Sequence, residues 1–393
     1  MTDGTAMTPM PAATDGSAME HKIRTALEKQ EYATVEALCR EMLVQSGPLH
    51  VWRWLVLALR HQGKAEEARP ILEMLVEQVP GNLEIRFDLA EVLLLLGEFG
   101  RGWREYKYRY SLGHTQHMDR KVQKPLWDGR ILRDKTLLVH DEQGFGDTFQ
   151  FLRLIGVAKK RSQARIVLQI REEQQGFARR MEGIDEVILQ GALPPPFDMH
   201  CHLMTLPMAL GLKPQDLPGE IPYLKTDPAR LEKWQNRLKD VPRPLVGLVW
   251  AGRPTHLNDA NRSLSFAQLA PLGDAGVTFV SVQKGERADD AKKPPAGMKM
   301  ISLSDEIEDF EDTAAIFQVL DLLLSVDSSP VHLAGALGCP AWVMLPFVPD
   351  WRWLLNRDDT PWYPSVRLFR QPRIGDWDSV INNMRVTLQE KFA

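Results

Sequence analysis

The stretch Ser325-Val-Asp-Ser-Ser-Pro-Val-His-Leu-Ala-Gly335 decides how the chain is read. The apolar run 320–326 that leads into it has the length of a strand, and Pro330 suits the first position of a helix, where no backbone donor is needed. Ser328 or Ser329 stands where a helix cap belongs. The first N–H groups of such a helix have no intrahelical acceptor, and together with the helix dipole they favour an anion such as a diphosphate. His332, early in the helix, adds a side-chain donor. Any capped strand-to-helix junction of an α/β protein shares this local pattern, so the turn alone leaves a ligand site and a plain structural turn equally open.

Working outward, strands and helices alternate over the last two thirds of the chain. Strands are expected at 136–140, 164–170 and 185–189 with a helix at 147–158. A linker-like segment follows at 217–224 and a helix at 228–239, and then strands at 245–250, 277–282, 300–303, 320–326 and 341–345. This order predicts mostly parallel sheets in two Rossmann-like halves, residues 116–240 and 241–393, facing a cleft.

Residues 20–115 read differently. Gly63 and Gly97 lie 34 residues apart, and a 34-residue unit counted from Leu49 puts Trp52, Leu55, Gly63, Ala68, Leu72 and Pro80 at the positions of a tetratricopeptide helix pair. The next unit, from Leu83, keeps Leu89, Ala90, Gly97 and Tyr106 but has Gly102 in place of alanine and His114 in place of proline. A weaker unit precedes them at about 21–47. So short an array needs a neighbour to cover its end, and Gly100-Arg-Gly-Trp-Arg-Glu-Tyr-Lys-Tyr108 is the expected docking edge.

Composition narrows the function classes. A hydrophobic content of 44% and a charged content of 25% are those of an ordinary globular chain, and a net charge of −4 without a basic run argues against nucleic acid. Cys39, Cys201 and Cys339 are too few and scattered for a disulfide framework, which fits a reducing, cytoplasmic setting. Residues 1–19 read as a disordered lead without the apolar centre of a signal peptide, and the run Glu91-Val-Leu-Leu-Leu-Leu96 is too short to span a membrane.

Four segments then acquire a joint meaning: His140-Asp-Glu-Gln-Gly-Phe-Gly-Asp-Thr-Phe-Gln150, Val246-Gly-Leu-Val-Trp-Ala-Gly252 with Asn261-Arg-Ser263, Phe279-Val-Ser-Val-Gln-Lys-Gly285, and the 327–335 turn. In this order and spacing they resemble bacterial tetratricopeptide-repeat glycosyltransferases related to the heptosyltransferases, from about residue 49 to the C-terminus. The resemblance implies a GT-B fold, a nucleotide-sugar co-substrate in the C-terminal half, an acceptor in the N-terminal half, and inversion at the anomeric carbon with no metal and no cofactor. Ser329 stands where the heptosyltransferases usually have glycine and Arg262 near where they place lysine, which leaves the sugar open. The repeats favour a protein acceptor by analogy. Two other readings stay open, a non-catalytic adaptor with a sugar-nucleotide-binding body and a sugar-nucleotide epimerase.

Site residues are expected accordingly. The donor set is Trp250, Gly252, Asn261, Arg262, Ser263, Gln283, Lys284, Asp327, Ser328, Ser329 and His332, with Arg262 foremost because its planar fork holds a phosphate at two points. Asp147 is the expected acceptor base and Glu142 its reserve, on a loop where Gly144, Gly146 and Gln150 approach substrate. Three features are set aside. His200-Cys201-His202, in a strand-like run, is read as splitting its side chains between two faces, against a shared metal. Asp376-Trp-Asp378 is read as the cap of a final helix at 379–392, and the aromatic group Trp342, Trp351, Trp353, Trp362 and Tyr363 as packing for a long loop.

Overall fold

Gly63 and Gly97 both adopt positive φ, 73° and 81°, where a side chain would be strained, and each ends the first helix of a pair. The computed structural model describes residues 14–44, 47–113, 115–116, 122–217 and 219–393. Three pairs stack: α1 (Thr14–Glu28) with α2 (Tyr32–Leu43), α3 (Leu49–His61) with α4 (Ala65–Gln78), and α5 (Leu83–Leu95) with α6 (Phe99–Tyr106). Leu55, Ala68 and Leu72 are buried between them, as the repeat spacing requires. Gly102 departs from the repeat for a reason. A Cβ there would lie 2.7 Å from Leu94 Cδ2, so glycine lets α6 lie close against α5.

Of the expected disordered lead, residues 1–13 lie outside the described residues, as does His114. Residues 14–19 are helical instead, because Met19 packs on the cluster around Ile23 and Val35 and carries α1 back to Thr14.

The first α/β half contains β1 (Thr136–His140), α7 (Phe145–Phe151), α8 (Leu154–Ser162), β2 (Arg165–Ile170), α9 (Gln175–Arg179), β3 (Glu186–Leu189), β4 (Met199–His202) and α10 (Leu206–Leu210). After α11 (Pro228–Leu238) the second half brings β5 (Leu245–Val249), α12 (Asp259–Arg262), β6 (Thr278–Ser281), β7 (Met300–Ser302), α13 (Phe310–Val319), β8 (Leu322–Val326), α14 (Ser329–Ala336), β9 (Ala341–Leu345), β10 (Val366–Arg370) and α15 (Trp377–Phe392). All strand pairs are parallel, in the orders β3-β2-β1-β4 and β10-β9-β8-β5-β6-β7. Both are doubly wound, and the strand order reverses between β1 and β4 and between β5 and β8. Ligands of such sheets bind outside the strand carboxyl ends at these two places.

The elements depart from sequence expectation in several respects, the unexpected short helices α9, α10 and α12 among them. The helix expected at 147–158 is broken into α7 and α8 at Arg153, whose guanidinium turns to the Trp362 carbonyl (2.7 Å) and the Tyr223 hydroxyl (3.1 Å). β10 and α13 were not foreseen. Helix α11, which precedes the second sheet in sequence, packs on α13, with Trp234 Nε1 donating to Asp312 (2.7 Å). Helix α15 starts at Trp377, and Asp376 caps it by accepting from Ser379 N–H (3.1 Å), the role foreseen for that carboxylate.

The repeats are fastened to the body by aromatic contacts. The Trp103 ring lies edge-on to Phe151 (5.9 Å between centroids) and to Trp351 (5.3 Å), and Phe99 stacks on Trp362 (5.7 Å). Of the aromatic group set aside as loop packing, Trp351 and Trp362 are therefore the seat of the repeats, whereas Trp342 packs on Phe369 and Trp353 on His332. Among the described residues no helix is long and apolar enough to cross a membrane.

Trp103 is 2% exposed. Trp103→Ala should destabilise the whole chain by about 3–5 kcal/mol in urea unfolding followed by both circular dichroism and tryptophan fluorescence. An unchanged unfolding midpoint would mean that the repeats stand on their own.

Candidate active site

At the reversal point of the second sheet, β8 gives way to α14 through Asp327 and Ser328. Ser328 occupies the N-cap position in extended conformation (φ −155°, ψ 173°), but its hydroxyl donates back to the Val326 carbonyl (3.3 Å) and does not cap the helix. The first turn of α14 thus keeps its donors for something other than its own cap. Arg262, at the end of α12, sits against this start, with Nη1 donating to the Asp327 carbonyl (2.8 Å). Its Nε is buried and has no hydrogen-bond partner among the described residues, the nearest carboxylate being Asp259 at 3.8 Å. Gly252 makes room, since a Cβ there would lie 2.6 Å from Arg262 Nη2. Ser263 Oγ accepts from Gly252 N–H (2.9 Å) and donates to Asp259 (2.7 Å). A pocket of about 330 Å³ opens beside these groups, lined by Asp259, Ser263, Leu264 and Arg287 among others. Arg287 shares the Asp259 carboxylate (3.0 Å), and its buried Nη1 also lacks a partner among the described residues. Two guanidinium groups thus share one carboxylate, an arrangement that favours an incoming anion.

Other members of the expected donor set are placed differently. Trp250 is core, its ring against Phe266 (4.5 Å). Gln283 is buried and pins that strand end, accepting from Trp250 N–H (3.1 Å) and Ala251 N–H (3.0 Å) while donating to the Ala251 carbonyl (3.0 Å). Lys284 donates to the carbonyls of Ser304 (2.7 Å) and Ile307 (2.9 Å), which hold its ammonium against the loop that follows β7. Asn261 bonds to Asn258 (2.7 Å) at the exposed side of α12.

Helix α7 of the first half lies directly on α14. A Cβ on Gly146 would come within 2.9 Å of His332 Cδ2 and 3.4 Å of Ser329 Cα, so this glycine admits the neighbouring helix, where sequence reading expected it to admit substrate. His332 is correspondingly buried, stacked on Trp353 and bonded through Nδ1 to the Tyr363 hydroxyl (3.0 Å). Burial, reinforced by Arg352, pushes its imidazole down to about 3, so it is neutral at working pH.

Asp147 does cap α7, accepting from Gly144 N–H (2.7 Å), and its other oxygen takes a hydrogen bond from Arg352. Arg352, on the loop after β9, also donates to Gln150 Oε1 (2.9 Å) and to Asp350 (2.8 Å), and its guanidinium lies 4.2 Å from the Trp351 ring centroid. Burial opposes its charge, but Asp350 and Asp147 more than offset this and hold the guanidinium protonated. Arg352 goes unnoticed in the sequence because its neighbours Trp351 and Trp353 read as loop packing. The signal available was a lone arginine between two tryptophans. Also missed was His256, on the exposed loop after Gly252 and within electrostatic range of Arg262, Asp147 and Asp350.

Glu142 stands apart. Its carboxylate is gripped on both oxygens by Arg109 (2.8 Å each) and accepts from Tyr110 and from Met204 N–H (3.0 Å), which ties the last repeat to the first sheet. As placed it is a structural ion pair, not a spare base. The reading of His200-Cys201-His202 is corrected as well. Residues two apart on a strand share a face, so His200 and His202 point the same way and meet His140 from the adjacent β1.

Residues 49–92 match the tetratricopeptide repeat family model, and the N-terminal helix pairs are repeats of that kind. Over 344 residues the chain is 27% identical to protein FlbA of Caulobacter vibrioides, an alignment that takes in 80% of this chain and 57% of that protein. The chain therefore spans little more than half the length of that relative. Two solved structures are similar to the chain over about two thirds of its length. The glycosyl transferase family 9 protein of Veillonella parvula does so with a TM-score of 0.49 at 14% identity, over 67% of this chain and 99% of that one. The ADP-heptose lipopolysaccharide heptosyltransferase II of E. coli gives 0.48 at 15% identity, over 66% and 100%.

Burial, together with the Asp350 carboxylate, pushes the Asp327 carboxyl from 3.8 up to about 6. The folded chain thus holds this proton more tightly than the unfolded one, and stability falls as pH rises through the interval between those two values. Asp327→Asn should stabilise the chain by on the order of 1 kcal/mol at pH 8 and by nothing near pH 4, read from urea midpoints. No gain at pH 8 would show that Arg262 holds Asp327 ionised.

Proposed function

We propose that the chain is an inverting glycosyltransferase of GT-B architecture that binds a nucleotide-sugar donor in its second α/β half. The observation that carries this reading is Arg262, buried against the uncapped start of α14 with its Nε without a partner among the described residues. The motif resemblance between residues 140 and 335 supports it. In the transfer, an acceptor hydroxyl oxygen attacks the anomeric carbon, the bond from that carbon to the diphosphate oxygen breaks, and the nucleoside diphosphate departs with the electron pair. The charge growing on it is met by Arg262 and the first-turn N–H groups of α14, fixed donors that do this work without a metal ion. Asp147, the carboxylate that α7 presents at this junction, takes the acceptor proton.

The repeats support a protein acceptor in a way the sequence did not anticipate. Their inner face is not remote from the donor half. A cavity of about 360 Å³ is lined by Arg53, Glu84, Asp88 and Glu91 of the repeats together with Leu257, from the loop that follows Gly252. A peptide lying on the repeats thus runs toward the cleft. A nucleotide-sugar co-substrate and three buried free cysteines, Cys39, Cys201 and Cys339, fit a cytoplasmic setting.

Calorimetric titration with ADP, UDP and GDP, without added divalent metal, should find one tight binder. Arg262→Ala should weaken it by about 2 kcal/mol, as expected for loss of a charge-assisted pair. Equal affinity in the variant removes Arg262 from the site.

Asp147→Asn keeps the oxygen that caps α7 and loses the basicity. It should bind the same nucleotide normally while release of nucleoside diphosphate from the nucleotide sugar falls by roughly 10² to 10⁴. Near-normal turnover would reduce Asp147 to a helix cap.

A further inference from the structure

We infer that His140, His200 and His202 form a binding site for one divalent transition-metal ion of the zinc class, independent of the donor cleft. The three rings come from the two central strands of the first sheet. In the parallel register His140 on β1 lies opposite His202 on β4, and Leu138 opposite His200, so His140 and His202 end their strands where the order reverses and His200 lies two residues earlier on the same face. They are 0%, 4% and 5% exposed. One ring nitrogen from each lies within 4.8 Å of those of the other two, and His140 Nε2 and His200 Nδ1 are hydrogen-bonded to each other at 3.1 Å, a contact that metal binding would replace. Tetrahedral zinc with nitrogen ligands at about 2.0–2.1 Å sets those nitrogens about 3.3 Å apart, so one edge of the tetrahedron is already formed and the others need to close by an ångström or so.

Three imidazoles suit zinc, copper, nickel or iron, whereas magnesium and calcium need oxygen ligands. Among the described residues this is the single group of three histidine, cysteine or acidic side chains that converges in this way. Cys201, between two of the ligands, lies on the opposite face, and its thiol donates to the His202 carbonyl (3.3 Å), so among the described residues the converging ligands are nitrogen only. The ion would clamp β1 to β4 just before the loop that carries Glu142 and leads into α7 with Asp147. It would not touch the diphosphate, whose charge falls to the second half.

The test uses the full chain, freed of metal by dialysis against a chelator and titrated with cobalt(II). One equivalent should bind with visible absorption typical of low-coordinate nitrogen and oxygen ligation and no thiolate-to-cobalt band. Zinc should displace it one for one and raise the melting temperature by several degrees. His200→Asn and His202→Gln should each abolish that equivalent, while His50→Asn, at an exposed ring elsewhere, should retain it. Two independent variants guard against one that fails to fold. A wild-type chain that takes up cobalt only loosely and at several equivalents, or a folded His202→Gln chain that still binds one, overturns the site.

Discussion

The Arg352 guanidinium is the interaction on which the arrangement of the two halves depends. It comes from the second half, yet its hydrogen bonds reach Asp147 and Gln150 on α7 of the first half as well as Asp350 on its own loop. A buried ion group of this sort adds little net stability over an apolar replacement, but removing one partner typically costs about 3–5 kcal/mol because the charge left behind has no water. Its effect is positional. With Arg352 in place, α7 is fixed on α14, and Gly146 permits that approach.

That approach brings together the N-terminal ends of two helices, α7 and α14, with Arg262 beside them. Positive ends facing each other are unfavourable, and Asp147, Asp327 and Asp350 supply the balance. Asp327 does so incompletely, as its raised proton affinity shows. An anion entering here would find positive groups whose mutual repulsion is already built into the fold, the condition for strong electrostatic binding. The two halves also share apolar core residues with α6, so they are not free to swing widely apart, and the pocket beside α12 is the open approach.

The parts of this molecule that were legible in sequence are those governed by local chemistry. Gly63 and Gly97 announce the repeats because positive φ is a property of the residue itself. The runs 136–140 and 320–326 read as strands because burial on both faces makes them mostly apolar, with Leu137 to Val139 and Leu322 to Leu324 unbroken. The turn at Asp327 to Pro330 was legible for the same reason. What stayed hidden was set by partners distant in the chain. Lys284 and Glu142 look like available charges until Ser304, Ile307 and Arg109 come to meet them. His332 looks like a phosphate donor until α7 covers it. Arg352 acquires meaning only through Asp147, some two hundred residues earlier. The histidine strand was a different kind of miss, a misjudged periodicity that the sequence alone was sufficient to correct.

The seating of the repeats has a consequence for how the chain is made. Helices α1 to α6 have mostly local contacts and are able to form as they leave the ribosome. The face that Phe99 and Trp103 present is covered only in part, by Phe151, until Trp351 and Trp362 have been synthesised. At roughly 5–20 residues per second that interval is on the order of ten seconds or more. During it the nascent chain carries an aromatic patch at the end of a finished helical stack. An apolar face left open for that long is a place where misassociation can compete with folding during synthesis.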